Sequence, residues 1–169
     1  MTKSINELNS DLFSAESDPR LASPLEARKK AMDFLARREH GRAELIGKLA
    51  TRGFLKDTAE EAVGRLADQG LQSDQRFVQS FIQSRINQGK GPTRITQELG
   101  QRGLPGGLVD RLLNEVDTDW NDLAYQVRVK KFGAYRPDDF KEKARQMRFL
   151  QYRGFDADQI RIAMDGEHD

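Results

Sequence analysis

LATRGF, at Leu49–Phe54, is the stretch that decides the fold, and it recurs as LGQRGL at Leu99–Leu104 and as LQYRGF at Leu150–Phe155. Each copy has a leucine, two variable residues, an arginine, a glycine and then a phenylalanine or leucine. The three glycines lie 50 and 51 residues apart. A phrase that returns at this interval predicts internal repeats of about 50 residues.

The phrase has the residues of a helix C-terminal cap. Glycine adopts the left-handed conformation without the steric cost of a Cβ, so each glycine is expected to end a helix. The leucine before it and the apolar residue after it can then make the apolar contact of a Schellman motif. Nine residues are therefore assigned to structural caps: Leu49, Gly53, Phe54, Leu99, Gly103, Leu104, Leu150, Gly154 and Phe155.

A further helix is expected after each cap. Asp57 with Glu60, and Asp156 with Gln159, have the spacing of a capping box at a helix start. Pro105 can take the first helical position after the second cap. The apolar residues that follow recur in register, as expected of a helix with one buried face. They are Ala59, Ala62 and Val63; Val109, Leu112 and Leu113; and Ile160, Ala163 and Met164.

Two more helices are predicted upstream of each cap. Ser23 has the character of an N-cap for the first of them. Ser73 or Asp74 opens the corresponding helix of the second unit, and Thr118 or Asp119 that of the third. No segment alternates convincingly with period two, so essentially no strand is expected.

The sequence therefore predicts an all-α protein of three tandem three-helix repeats in an elongated array, with its curvature left open. The repeats are assigned to residues 23–72, 73–117 and 118–169. Residues 1–22, with two basic and four acidic side chains, are predicted to be a flexible N-terminal tail.

Composition excludes several classes of protein. Hydrophobic residues make up 37% and charged residues 33% of the chain, which suits a thin helical molecule. The absence of cysteine removes disulfides and thiol chemistry. No apolar run approaches the roughly 18–20 residues of a membrane span, and the N-terminus lacks an apolar signal core. We expect a cytoplasmic protein that does not engage a membrane.

Catalytic patterns are missing as well. His40 and His168 have no second histidine at ligand spacing, and His40 is interpreted as a capping or surface residue. No serine, aspartate or glutamate lies in a nucleophile elbow or a phosphate-binding loop. We expect no enzymatic activity, no cofactor and no metal site.

Basic residues are concentrated in two regions. Between Arg28 and Arg52 there are eight Lys or Arg against three acids, and between Arg128 and Arg153 there are nine against three. The middle unit has six against five. Such regions can bind an acidic polymer or a long partner surface. The alternative is that the charges form solvated faces and intrahelical pairs, such as Glu44 with Lys48. We favour an interaction surface for VRVKKF, at residues 127–132, together with Lys141, Lys143, Arg145 and Arg148.

ARREHGRAELIGKLATRGF, at residues 36–54, resembles the signature segment of the bacterial RecX regulatory proteins. GKGPTRITQELGQRG at 89–103 resembles the second unit of that family, and KKFG at 130–133 with RFLQYRGF at 148–155 resembles the third. The sequence departs at Gly41, where the family usually has serine, and glycine still serves as an N-cap. The resemblance covers about residues 25–165.

The resemblance implies an all-helical fold of three three-helix repeats and a role in regulating the recombinase RecA. Members of the family usually inhibit RecA by binding along the groove of its filament on single-stranded DNA. The resemblance further implies that ATP hydrolysis, strand exchange and co-protease activity of RecA are lowered. The expected partner is the RecA nucleoprotein filament, direct contact with single-stranded DNA is left open, and the chain is expected to be a monomer.

A second hypothesis is a helical nucleic-acid-binding protein that acts without RecA. Pure DNA binding would fall steeply with salt because counterions are released, and it would need no RecA. Under either hypothesis eight basic residues are the candidates for the partner surface. They are Arg37, Arg38, Arg42, Lys48, Lys130, Lys131, Arg145 and Arg148.

Overall fold

A computed structural model describes residues 18–166, and throughout that part of the chain the regular structure is helical, with no strand. It comprises a short 3-10 helix, Pro19–Ala22, followed by nine α-helices. These are α1 (Pro24–Arg37), α2 (Arg42–Thr51), α3 (Lys56–Asp68), α4 (Asp74–Asn87), α5 (Pro92–Gln101), α6 (Gly106–Glu115), α7 (Trp120–Phe132), α8 (Phe140–Arg153) and α9 (Ala157–Asp165). The predicted all-α class is confirmed.

The helices form three consecutive triplets, and each triplet has an apolar core. The first core joins α1, α2 and α3, the second joins α4, α5 and α6, and the third joins α7, α8 and α9. The apolar positions predicted on α3, α6 and α9 all lie in these cores or pack against them. The triplet is therefore the unit in which apolar surface is removed from water.

The residues cluster into two compact units. One contains Met1–Arg38 with Glu44–Gln72, and its described part holds the first triplet. The other contains Glu39–Ala43 with Ser73–Asp169, and its described part holds the second and third triplets. The start of α2 thus packs with the second triplet.

All three copies of the repeated phrase end their helices in the same way. Gly53, Gly103 and Gly154 have φ angles of +94°, +79° and +96°. The amide after each glycine donates to the carbonyl of the leucine five residues earlier, at 3.1 to 3.2 Å. Each glycine amide donates to the carbonyl three residues earlier, at 2.9 to 3.0 Å. This pair of hydrogen bonds defines the Schellman motif, and all three leucines are fully buried.

The helices that follow the caps begin in three different ways. At α9 the predicted capping box is confirmed, because Asp156 accepts from the amide of Gln159 and the Gln159 side chain accepts from the amide of Asp156. At α6, Pro105 is the N-cap and the first helical residue is Gly106, one position later than predicted. Proline has no backbone N–H, so this N-cap residue leaves no donor that needs a hydrogen-bond acceptor.

The predicted capping box at Asp57 is wrong. Helix α3 begins at Lys56, and its N-cap is Leu55, which makes no side-chain capping bond. The amide of Leu55 donates instead to the carbonyl of Leu21 in the 3-10 helix, at 3.1 Å. Of the predicted N-terminal tail, residues 1–17 lie outside the described residues. Its last residues form the 3-10 helix, so the ordered fold extends upstream of Ser23.

The two alternatives for the start of α4 both have a role. Ser73 is the N-cap and accepts from the amide of Arg76 at 3.2 Å. Asp74 accepts from the amide of Arg42 at 2.8 Å and therefore caps the start of α2. In the third repeat Asp119, not Thr118, caps α7.

Candidate partner-binding surface

The second and third repeats meet where the end of α8 abuts the start of α5. The amides of Gly91 and Thr93 donate to the carbonyls of Arg153 and Gly154, at 2.8 and 3.0 Å. Free amides at a helix start are thereby satisfied by free carbonyls at a helix end. A Cβ on Gly91 would overlap the carbonyl of Gly154, so the close approach of the two backbones requires glycine.

A groove of about 480 Å³ lies beside this junction. Its walls are the end of α4, one face of α7 and one face of α8. Lys130 and Lys131 of α7 and Arg153 of α8 line it, together with the ring of Phe149. We call it the basic groove.

Aromatic rings position the cations of the basic groove. The Lys131 ammonium and the Arg153 guanidinium lie 6.0 and 5.3 Å from the centre of the Phe149 ring. Phe132 packs edge-on against Phe149 at 5.2 Å, and the Arg145 guanidinium lies 5.2 Å from the Phe132 ring. A ring face attracts a cation without neutralising its charge, so these groups stay positively charged toward a partner.

The four predicted partner residues of the third repeat differ in their surroundings. Lys130 and Lys131 share the groove and, among residues 18–166, form no ion pair. Arg148 is exposed on α8 and likewise has no carboxylate partner in the described chain. Arg145 pairs with Glu142 of its own helix at 3.1 Å, where both side chains are exposed. Such a surface pair contributes little to stability, so Arg145 can exchange it for a partner's carboxylate or phosphate.

A further cluster of cations lies at the junction. Burial lowers the pKa of the Lys90 ammonium, and repulsion from Arg94 lowers it further, with smaller effects from Arg153 and Arg85. Attraction to Glu98 partly offsets these effects. Cations of the second and third repeats therefore lie close enough here to repel one another.

Glu98 is the acid at the centre of this cluster. Its two oxygens accept from the Nε atoms of Arg85 and Arg94, at 2.7 and 3.2 Å. Burial raises the pKa of the Glu98 carboxyl, but the hydrogen bonds from Arg85 and Arg94 outweigh burial and hold it below its ordinary value. Arg94 also donates to the carbonyl of Tyr152 at 3.1 Å, so the network ties α5 to the end of α8.

Arg128, inside the predicted VRVKKF interaction segment, is a structural residue. Its side chain is fully buried, and its Nε donates to the carbonyl of Ala163 at 2.8 Å. Its Nη1 donates to the carbonyl of Tyr135 and to the side chain of Gln146, both at 3.3 Å. Burial lowers the pKa of the Arg128 guanidinium. The guanidinium donates its hydrogen bonds to these neutral oxygens and not to a carboxylate. The assignment of Arg128 to the surface is corrected.

In the first repeat, three cations lie close to the ring of Phe34. Lys48 lies 5.1 Å from the centre of the Phe34 ring, and Lys30 and Arg52 lie 5.5 Å from it. Phe34 itself is buried in the first core. This arrangement again holds positive charge on an aromatic face.

The other three predicted partner residues, near the start of α2, differ in their surroundings. Arg38 pairs with Glu44 at 2.8 Å. Arg37 is exposed at the end of α1. Arg42 is exposed at the start of α2 and belongs to the second compact unit.

Other kinds of site find no support. His40 is buried with 1% of its surface exposed, so of its two predicted roles, capping and surface, the surface role is wrong. Residues 18–166 contain no group of three or more His, Asp or Glu side chains able to hold a metal ion. No helix of the described chain is long and apolar enough to cross a bilayer.

Sequence reasoning missed the junction cations Lys90, Arg94 and Arg153. They come from separate helices and loops, and the charge balance of the middle unit gave no sign of them. The available signal is GKG at residues 89–91, in which glycine on both sides of a lysine indicates a close backbone approach. Only the tertiary fold brings these charges together.

Comparison with known families gives three matches along the chain. Residues 27–66 match the RecX first three-helix domain, residues 73–113 the RecX second three-helix domain, and residues 117–164 the RecX third three-helix domain. The matches come in chain order and cover most of the described residues.

Characterised relatives and solved structures agree with these matches. The chain is 47% identical to the regulatory protein RecX of Pseudomonas entomophila over 86% of its own length and 94% of the relative's. It is 45% identical to that of Pseudomonas putida strain GB-1 over the same shares. The crystal structure of RecX from Lactobacillus salivarius superposes with a TM-score of 0.71 at 21% identity, covering 84% of this chain and 94% of that one.

Proposed function

This chain belongs to the RecX family of regulatory proteins, and we propose that it binds the RecA filament on single-stranded DNA and inhibits it. The proposed consequences are lower ATP hydrolysis, strand exchange and co-protease activity of RecA, and hence control of recombination and of the SOS response. The chain acts as a monomer and without a cofactor in this proposal.

The observation that carries the proposal is the basic groove. Lys130, Lys131 and Arg153 line this groove, two of them against the Phe149 ring, and none of the three forms an ion pair within residues 18–166. A surface of this kind favours an acidic partner of extended shape, and a nucleoprotein filament presents both carboxylates and phosphates.

Charge reversal tests the groove directly. We expect the double variant Lys130→Glu/Lys131→Glu to bind RecA–single-stranded DNA filaments about tenfold or more weakly than the wild type, because two attractions become repulsions. Binding is measured by fluorescence anisotropy of the labelled chain. Unchanged binding would contradict the role of the groove.

The matched control is Arg65→Glu/Arg111→Glu. It makes the same change in net charge at exposed arginines that pair with Glu61 and Glu115 on their own helices. Binding by the control should stay within about twofold of the wild type, since remote charges are screened at physiological salt. An equal loss in both variants would mean that net charge alone decides binding.

The second candidate function is nucleic-acid binding without RecA. The same cations and Phe149 support it, because aromatic rings beside cations stack unpaired bases. Under this alternative the chain binds single-stranded DNA alone, and its affinity falls steeply as salt is raised. Affinity that needs RecA, with no binding to single-stranded DNA alone, would exclude it.

A further inference from the structure

Two of the three Schellman caps receive the start of a helix from the preceding repeat. At the second cap, the start of α2 lies on Gly103, where a Cβ would come within 3.5 Å of the Ala43 Cβ. Gly41, just before α2, lies against Phe77 and Leu104, which follows the same cap. At the third cap, the start of α5 lies on Gly154. The surface around the capping glycine is therefore a recurring contact site for a neighbouring segment, and we call this surface the seat.

At the first cap the contact comes from the 3-10 helix, within the part of the chain that the structure describes. A Cβ on Gly53 would come within 3.2 Å of the Leu21 Cδ1 atom, so Leu21 covers this cap. The carbonyl of Leu21 also accepts the amide of Leu55, which no side chain of α3 caps. Terminal units of repeat arrays need such a cover, because the face that would meet a neighbour is otherwise exposed.

The first seat differs from the other two in what it accepts. At the second and third seats, the segment that makes the contact begins with a glycine, Gly41 or Gly91. The first takes an apolar side chain, that of Leu21. A segment that competes for the first seat should therefore present an exposed apolar side chain at the start of a helix.

One helix start of this description remains without a neighbour in the described chain. Helix α8 is the middle helix of the third repeat, and within residues 18–166 no further repeat lies on its first residues. Phe140, its first residue, is 85% exposed, and Tyr135 in the preceding loop is 90% exposed. An exposed ring at a helix start can supply the apolar side chain that the first seat accepts.

The charges of the two surfaces are complementary. Arg52 and Lys56 flank the first seat and are exposed. Asp138 and Asp139 immediately precede Phe140 and are also exposed. Opposite charges around an apolar contact orient two chains and speed their encounter.

We propose that the seat at Gly53 is a site of self-association, that the segment Pro19–Ala22 closes it, and that its occupant after opening is a second copy of this chain. The Phe140 end of one copy then binds where Leu21 lay in the next. The contact is head to tail, so it can add further copies unless the rotation between them closes a ring. The 3-10 helix thereby blocks this self-association, independently of the proposed binding to RecA.

The test is the mass of the full-length chain by sedimentation equilibrium across a wide range of concentrations. The wild type should keep the mass of one chain. Leu21→Asp, which cannot seat an apolar side chain, should reach about twice that mass or more as concentration rises. Leu21→Asp/Phe140→Asp should return to one chain, whereas Leu21→Asp/Tyr152→Asp, which changes an exposed ring elsewhere in the third repeat, should not.

Several results would overturn the proposal. A folded Leu21→Asp chain that stays monomeric would show that the seat attracts no second copy. Oligomers that Phe140→Asp fails to dissolve, or that both second substitutions dissolve equally, would place the contact elsewhere. Leu21→Ala empties the seat without adding a charge. Loss of the helical circular dichroism signal in both Leu21 variants would make the segment part of the core instead of a separable cover.

Discussion

The first and third copies of the repeated phrase make the same hydrogen bonds in different surroundings. Gly53 is exposed and meets the flexible side chain of Leu21. Gly154 is buried, and a Cβ there would come within 2.7 Å of the Arg94 amide nitrogen and overlap the Arg94 Cβ. The motif at Gly53 therefore ends a helix. The same motif at Gly154 ends a helix and also joins two repeats. The difference comes from the segment that lies on the cap.

The largest expected effect is that of Gly154→Ala. The new Cβ meets backbone that cannot yield, and alanine also disfavours a φ of +96°. We expect the free energy of unfolding to fall by about 3 kcal/mol or more. Gly53→Ala should lose about 1 kcal/mol, because it carries the backbone strain without the clash against backbone.

Urea denaturation of the two variants measures this difference, with the wild type alongside. Gly53→Val adds a β-branched side chain at the same φ and should cost at least as much as Gly53→Ala. Equal losses for Gly154→Ala and Gly53→Ala would mean that the third cap is no more than a helix stop.

A smaller effect is expected at the helix starts that lie on the caps. Gly91→Ala should cost about 2 kcal/mol, because its Cβ overlaps the carbonyl of Gly154 and displaces two backbone hydrogen bonds. Gly41→Ala should cost less than about 1 kcal/mol, since the Phe77 ring, 3.3 Å from the new Cβ, can shift. Thermal unfolding by circular dichroism compares them, and a larger loss for Gly41→Ala would contradict the description of the contact of Gly41 with Phe77.

The smallest expected effect concerns Glu98, which has a lowered pKa in the folded chain. A carboxyl with a depressed folded pKa stabilises the fold above its unfolded pKa, and this contribution is lost as pH falls through the folded value. Glu98→Gln should therefore lose about 1 kcal/mol at pH 7. The loss should shrink once the pH falls below 4.5, the ordinary value for this carboxyl.

Glu115→Gln is the control for Glu98, because its pair with Arg111 lies on the surface. Urea denaturation of both variants at neutral and acidic pH should show no resolvable change for Glu115→Gln. A loss at Glu98 that persists unchanged in acid would mean that the side chain acts through packing and not through its charge.

The sequence predicted those parts of the fold that depend on local chemistry. The three glycine caps, the triplets of helices and the capping box at Asp156 follow from the preferences of a few neighbouring residues. The capping box at Asp57 was predicted by the same rule and is absent, since Leu21 satisfies the amide of Leu55 from a distant part of the chain. Local rules cannot anticipate a partner that tertiary packing supplies.

The candidate site was less accessible to sequence reasoning. Lys130 and Lys131 were predicted as partner residues from their place in a basic stretch of sequence, and they line one groove. Arg153 was missed as their neighbour, and Arg128 was assigned to the surface although it is fully buried. A sequence alone does not distinguish a basic residue that binds a partner from one that caps the carbonyls of a buried helix end. Its role depends on which helix face it occupies.

The measurement that tests the central claim most directly is ATP hydrolysis by the cognate RecA on single-stranded DNA, with this protein added in increasing amounts. Inhibition well below one molecule per RecA would indicate action at filament ends, and inhibition near saturation would indicate coating of the filament. The account predicts that the wild type inhibits, that Arg65→Glu/Arg111→Glu inhibits equally, and that Lys130→Glu/Lys131→Glu needs about tenfold more protein. Equal inhibition by all three chains would contradict the basic groove as the surface that meets RecA.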